Sequence, residues 1–222
     1  MNIVSFSGGK DSTAMLLMML ERGIQVDRII FADTTLEFPQ MYSWIDDIEK
    51  YIKRPIERIR PKKSWDEHFY GTFTRGQYKG RMRGFPFVIQ KCWWNREAKY
   101  TSLDKEHGKG NTIYIGIAKD EEKRTKAKQY NKTHTSYRFP LCEWGLTEQD
   151  CFDYLESKGL FHPLRHMKRT GCWLCQKQSK SSLLILMREY PHLWEKLKKY
   201  EADSPHGFKP NFSLRDFENE NL

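Results

Sequence analysis

The sequence predicts an α/β fold: a Rossmann-like, doubly wound parallel sheet with a helical, cysteine-containing C-terminal part. Three observations lead there. The first sixty residues alternate short β-rich runs with helical stretches, the pattern of strands joined by crossover helices. A Gly8-Gly9 pair lies directly between the first such run and the first helix. The length of 222 residues suits one sizeable domain with an appended lobe.

Each element follows in order. Asn2 to Phe6 is a short β-rich run that ends at the Gly pair. Ser12 to Arg22 is apolar almost all round, which predicts a buried helix, and Gly23 stands where it should stop. Arg28 to Ala32 reads as the second strand and ends at Asp33. Pro39 opens a helix to about Lys53, and Ile56 to Ile59 reads as the third strand. Residues 61–112 mix Gly, Arg, Trp and Tyr without clean periodicity and are expected to form a loop-rich insertion near the active site. Thr112 to Ile117 reads as another core strand. Thr147 is the expected cap of a helix that Gly159 ends. Two further helices are expected around Ser181 to Tyr190 and Pro191 to Tyr200. From Asp203 the chain is polar, carries Pro and Gly, and is expected to be ordered only in part. Residues 1–180 are thus expected to form the main domain, with residues 181–222 as helices and tail packed on it.

Composition narrows the function. No apolar run approaches a bilayer span, and the first residues lack the pattern of a signal peptide, so a cytoplasmic, membrane-free protein is expected. Lys plus Arg exceed Asp plus Glu by 38 to 29, a formal charge of +9. Such a balance favours an anionic partner, a nucleotide or a nucleic acid. The excess clusters at Lys53 to Lys63, Arg75 to Arg83, Lys119 to Lys132 and Arg165 to Lys180; a merely solvated surface is the alternative.

Ser7-Gly8-Gly9-Lys10-Asp11-Ser12 has the chemistry of a phosphate cradle. Glycines let backbone amides approach an anion, and the helix N-terminus adds partial positive charge. Ser7 and Ser12 supply hydroxyls and Lys10 a compact cation, while Asp11, which repels phosphate, suggests a bound Mg²⁺ or a cap. The spacing is not that of a Walker loop. An ordinary strand-to-helix turn is the competing reading.

Ser-Gly-Gly-Lys-Asp-Ser resembles the PP-loop of the adenine nucleotide α-hydrolase-like superfamily, whose members grip the pyrophosphate of ATP and break the α–β bond. Downstream segments resemble the phosphoadenosine phosphosulfate (PAPS) reductase family within it. Asp33-Thr34-Thr35-Leu36-Glu37-Phe38-Pro39 is similar to that family's Asp-Thr-Gly-x-x-Phe-Pro segment. Gly116-Ile117-Ala118-Lys119-Asp120-Glu121 with Arg124 is similar to its second nucleotide-contact motif. Phe139-Pro140-Leu141-Cys142-Glu143-Trp144 is similar to its Pro-Leu-x-x-Trp block. The resemblance spans about residues 3–180 and implies nucleotide contacts at Ser7 to Ser12, Asp33, Gly116, Asp120 and Glu121, with Lys10, Asp11 and Arg124 in catalysis. For Asp33 a strand-end turn, and for Asp120, Glu121 and Arg124 a solvated charge run, are the bland alternatives.

Cys172-x-x-Cys175 has the spacing of a metal half-site. A redox pair is the alternative, and the remaining ligands are to be sought among Cys92, Cys142, Cys151, His162 and His166. Iron–sulfur relatives in the resembled family join a Cys pair upstream to a Cys-x-x-Cys downstream. Here Cys92 is single, Trp93 taking the second place. The resemblance therefore supplies Cys92, Cys172 and Cys175. Cys142 is the chosen fourth ligand, and Cys151, within a helix, is read as a small core residue. The sequence leaves a [4Fe–4S] cluster and Zn²⁺ open.

The resembled reductases carry a nucleophilic cysteine near the C-terminus, and no cysteine follows Cys175. The expected activity is therefore cleavage of ATP at the α-phosphate with Mg²⁺, in sulfur transfer or nucleic-acid modification. The expected partners are an adenine nucleotide, tRNA or DNA, and a sulfur-transfer protein. One alternative is a sulfonucleotide reductase using an external thiol; another is a non-catalytic nucleotide- or nucleic-acid-binding module. Trp93, Trp94, Arg96 and Tyr100 offer base stacking against the alternative of core packing, and Arg81 and Arg83, beside Gly80 and Gly84, a flexible substrate loop.

Overall fold

The computed structural model describes residues 1–86, 92–131, 133–167 and 170–221. Lys132, Lys168 and Arg169 of the basic clusters, and Lys91 beside Cys92, lie outside them. The described residues group into two compact units.

The first unit gathers residues from Met1–Asp33, Pro39–Ile59 and Thr101–Arg165. It holds β1 (Asn2–Phe6), α1 (Lys10–Glu21), β2 (Arg28–Ala32), α2 (Pro39–Ile52) and β3 (Glu57–Ile59). All five of its strands are parallel, in the order β3-β2-β1-β4-β5, where β4 is Thr112–Ile115 and β5 is Ser136–Arg138. Ile3, Ile30 and Ile113 lie side by side on neighbouring strands with no exposed surface, so burial of β-branched side chains fixes the register. The chain runs outward from β1 through β2 to β3, then returns to place β4 on the other side of β1. Where strand order reverses in this way, the carboxyl ends of the two strands open a crevice. The loops after β1 and β4 share that rim.

Two of the boundaries that differ from the sequence reading have a plain local cause. The helix α1 begins at Lys10, two residues before Ser12, because Gly9 in an extended conformation serves as its cap. The strand β4 stops at Ile115 because the chain must then turn tightly. A Cβ on Gly116 would sit 2.7 Å from the Cα of Ser12, and Ile117 N–H donates back to the Ile115 carbonyl at 3.0 Å. The helix expected after Thr147 is present as α7 (Glu148–Ser157), with reciprocal bonds between Thr147 and Asp150. It packs on α1.

The second unit gathers residues from Thr34–Phe38, Arg60–Tyr100 and His166 onward. Its core is aromatic: Trp65, Phe69, Phe85, Trp94, Tyr200 and Phe208 are all buried. Trp65 and Trp93 stack with ring centroids 4.9 Å apart. This explains why residues 61–112 lack periodicity yet contain α3 (Trp65–Phe69), α4 (Trp93–Asn95) and, in the first unit, α5 (Thr101–His107). Large rings from short elements fill the core without a long amphipathic stripe. The unit also contains α8 (Lys180–Glu189), α9 (Pro191–Asp203) and α10 (Leu214–Asn219). The partly ordered C-terminus expected from composition is corrected here. Ser213 caps α10 while Leu214 and Phe217 are buried, and Phe208 packs against Phe85. A few well-placed apolar residues suffice where the average composition is polar.

Candidate active site

The loop after β1 is held by its own hydroxyls. Ser7 and Ser12 Oγ lie 2.9 Å apart, Ser7 N–H donates to Ser12 Oγ, and Ser12 Oγ donates to the Gly9 carbonyl at 3.0 Å. Gly8 has φ +76°, and a Cβ there would meet Met41 Sδ at 2.8 Å. Gly8 is thus required by backbone and packing together. Gly9 has no such crowding, its nearest would-be neighbour being Ser7 Oγ at 3.4 Å. With glycine at the cap position, no side chain among the described residues makes the cap hydrogen bond of α1. That is the condition under which an anion takes the place of a cap.

Lys10 lies at the centre of an acidic group. Its Nζ is 2.6 Å from Glu148 Oε2 and 3.0 Å from Asp11 Oδ1. Burial opposes its charge, but the bonds to Glu148 and Asp11 outweigh that and raise its pKa. The pKa of Asp11 is also raised, first by burial and then by the nearby Glu148 and Glu121 charges, with Lys10 pulling the other way. Asp11, Glu121 and Glu148 each offer one carboxylate oxygen, all within 4.8 Å of one another. Hard oxygen donors at this spacing fit Mg²⁺, which takes carboxylates, waters and phosphate oxygens.

The other expected residues divide. Asp33, at 1% exposure, accepts from Tyr42 Oη at 2.9 Å, and its N–H donates to the Ile59 carbonyl at 2.8 Å. Gly116 is the point of close approach between the end of β4 and α1. Asp120 accepts from the Glu148 N–H at 3.2 Å and so caps α7. Arg124 pairs with Glu121 and is 59% exposed.

Two residues of the site escaped sequence reasoning. Glu148 was legible only as the start of a helix. His162, considered above only as a metal ligand, is 5% exposed and supports the loop after β1. Its Nδ1 accepts from the Leu164 N–H at 3.2 Å, so Nε2 carries the proton and donates to the Gly8 carbonyl at 3.1 Å. Burial pushes its pKa down to about 4, and the Trp44 ring packs edge-on at 5.3 Å.

The cysteines fall in both units. In the second, Thr34 Oγ1 donates to Glu37 Oε1 at 2.8 Å and lies 3.5 Å from Cys172 Sγ, while Lys99 reaches the buried Glu37 carboxylate at 3.6 Å. Burial, then the Glu37 charge, pushes the Cys172 thiol up to about 12, and burial raises Cys92. Cys92 and Cys172 each interact electrostatically with Cys175. Among the described residues the cysteine sulfurs form no group of three within 4.8 Å. Cys142 lies in the first unit, on the one-turn helix α6 (Pro140–Glu143) that follows β5, and its thiol donates to the Ile117 carbonyl at 3.1 Å. His166 pairs with Glu189 at 3.3 Å. Cys151 is fully buried on α7, as read.

Residues 1–178 match the phosphoadenosine phosphosulfate reductase domain. The chain belongs to that family. The family lies within the PP-loop superfamily, has a nucleotide-binding fold, and includes enzymes that reduce PAPS. An uncharacterized protein of Methanocaldococcus jannaschii is 26% identical over 87% of this chain and 40% of its own length. A phosphoadenosine 5'-phosphosulfate reductase of Vibrio atlanticus is 25% identical over 74% of this chain and 61% of its own. The chain therefore spans less than two thirds of either relative. The crystal structure of a PAPS reductase from Candida auris, a phosphate complex, has the same fold, with a TM-score of 0.53 and 16% identity. The match covers 79% of this chain and 83% of that one. Among the described residues no helix is long and apolar enough to cross a membrane.

Proposed function

We propose that the chain cleaves ATP at the α-phosphate, forming an adenylated acceptor and pyrophosphate. The observation that carries this reading is the convergence of Asp11, Glu121 and Glu148, two of them bonded to Lys10, at a helix start with a glycine cap. Three carboxylates against Lys10 and Arg124 leave the rim net negative. A polyphosphate is repelled there unless a divalent cation joins it. An acceptor oxygen attacks the α-phosphorus, and the bond to the bridging oxygen of the β-phosphate breaks, with its electron pair leaving on pyrophosphate. The Gly9 backbone and the first turn of α1 orient the phosphates, and Lys10 neutralises charge on the leaving group. Mg²⁺ held by Asp11, Glu121 and Glu148 would supply further neutralisation of the pyrophosphate oxygens.

The test is incubation with α-labelled ATP and Mg²⁺, with and without tRNA or DNA. AMP or an adenylate together with pyrophosphate is expected, lost on chelation of Mg²⁺. Binding without turnover under every condition would leave a nucleotide-binding module instead. The names of the relatives favour a second reading, sulfonucleotide reduction with an external thiol. Sulfite release from PAPS with added thioredoxin, and no ATP cleavage, would establish that one. A metal at Cys92, Cys172 and Cys175 forms part of the proposal. Metal analysis and the visible spectrum distinguish an iron–sulfur cluster from zinc, and Cys142→Ala tests the fourth ligand by metal content.

A further inference from the structure

Residues 68–96 contain six Lys or Arg and no Asp or Glu. Within this stretch the chain folds back on itself. Phe73 N–H donates to the Arg81 carbonyl at 2.9 Å, Gly80 N–H to the Phe73 carbonyl at 2.8 Å, and Arg83 N–H to the Gly71 carbonyl at 2.9 Å. The base is built rather than loose. A Cβ on Gly71 would meet the Glu67 carbonyl oxygen at 2.6 Å, and one on Gly84 would strike Pro205 at 2.6 Å. Arg83 belongs to this base: its Nε donates to the Thr72 carbonyl, its Nη1 lies 3.2 Å from His68 Nδ1, and its guanidinium lies over Phe73.

The tip differs. Arg75, Lys79 and Arg81 are exposed, and among the described residues none of them pairs with a carboxylate. Phe73 and Tyr78, half-buried with centroids 5.8 Å apart, stand between them. Gly76 and Gly80, at φ +78° and +83°, turn the backbone where no side chain stands in the way. The cations are distributed along the turn, at positions 75, 79 and 81. That arrangement suits a row of phosphates better than a single one. Aromatic rings interleaved with bases suit a nucleic acid better than an acidic protein.

We propose that the hairpin 71–83 is a nucleic-acid docking element whose tip cations Arg75, Lys79 and Arg81 track a phosphate backbone. This deepens the functional reading by naming the class of acceptor. Binding is measured without ATP, so its failure and the failure of ATP cleavage are separate results.

The experiment is fluorescence anisotropy with labelled single-stranded DNA, duplex DNA and a tRNA, titrated over a range of salt. Each phosphate contact contributes about 0.7 to the log–log salt slope on single strands and about 0.9 on duplex. The wild type is expected to bind at least one of the three, with affinity falling as salt rises. The triple variant Arg75→Ala/Lys79→Ala/Arg81→Ala should reduce that slope by about 2 on a single strand or about 2.7 on duplex. Arg75→Ala alone should remove roughly a third of that, and Arg75→Lys/Arg81→Lys should restore it. Removal of three exposed lysines elsewhere, Lys105, Lys109 and Lys199, should leave the slope unchanged. Equal loss in that control, an unchanged slope in the triple variant, or binding only to anionic vesicles would overturn the proposal.

Discussion

Lys10 and the hairpin cations carry the same charge in opposite settings. Lys10 is gripped by Glu148 at 2.6 Å and Asp11 at 3.0 Å. Arg75, Lys79 and Arg81 face solvent with no carboxylate partner among the described residues. A cation already balanced by carboxylates attracts no anion at long range. On the proposed function it would act only when a ligand and a metal rearrange the group, which would make it selective. An unbalanced cation on a spread-out tip attracts any polyanion and is screened by salt. The contrast predicts a nucleotide site that depends on divalent cation and a hairpin that depends on ionic strength.

The largest effect should come from Lys10→Ala, which should slow ATP cleavage by about 100-fold or more if the ammonium stabilises the leaving pyrophosphate. Unchanged pyrophosphate release would dismantle the assignment of the loop. Glu148→Gln tests the grip itself. It should raise the Mg²⁺ concentration needed for half-maximal cleavage by roughly tenfold, the order of effect seen when support for a metal site is removed. A variant with wild-type Mg²⁺ dependence would take Glu148 out of the site.

Two glycines sharpen the comparison between packing and ligand approach. Gly116→Ala forces a Cβ into the Ser12 backbone and should cost about 1–3 kcal/mol by urea unfolding. Gly9→Ala meets no such crowding and should fold normally yet bind ATP poorly, if the proposed phosphates approach the backbone at the start of α1. If both variants lost stability alike, Gly9 would be structural too.

His162 sets a pH limit on the loop. Its folded pKa of about 4 lies below the unfolded value, so the neutral ring is the native form. Its contribution is complete above about pH 6.5 and is lost as pH falls toward 4, on the order of 3 kcal/mol in all. His162→Gln should flatten that part of the stability–pH curve. A curve with the same slope would place the acid sensitivity elsewhere. The smallest effect concerns the hairpin. Arg83→Ala should measurably destabilise the protein, whereas Arg75→Ala should change its stability by less than about 0.5 kcal/mol.

Legibility in the sequence followed the same division. Strands and helices of the sheet unit were readable because parallel strands are continuous apolar runs and their helices end at Gly23 or begin at Pro39 and Thr147. The aromatic unit was not readable in this way. Trp65, Trp93 and Phe85 meet across long sequence gaps, and no period encodes that. Trp94, at 1% exposure, is core, so its base-stacking reading gives way to packing. Arg81 and Arg83, alike in sequence, have different partners.

By itself the sequence determined the glycine turn before α1, the family and the parallel sheet, because these rest on local chemistry: glycines before a helix, and hydrophobic runs of fixed length. Only the tertiary structure decided what Lys10 faces. Glu148 reaches it from a distant segment, Glu121 joins Asp11 and Glu148 from another, and His162 holds the loop through the Gly8 carbonyl. Electrostatic partners are set by distance in space, and separation along the chain carries no record of it.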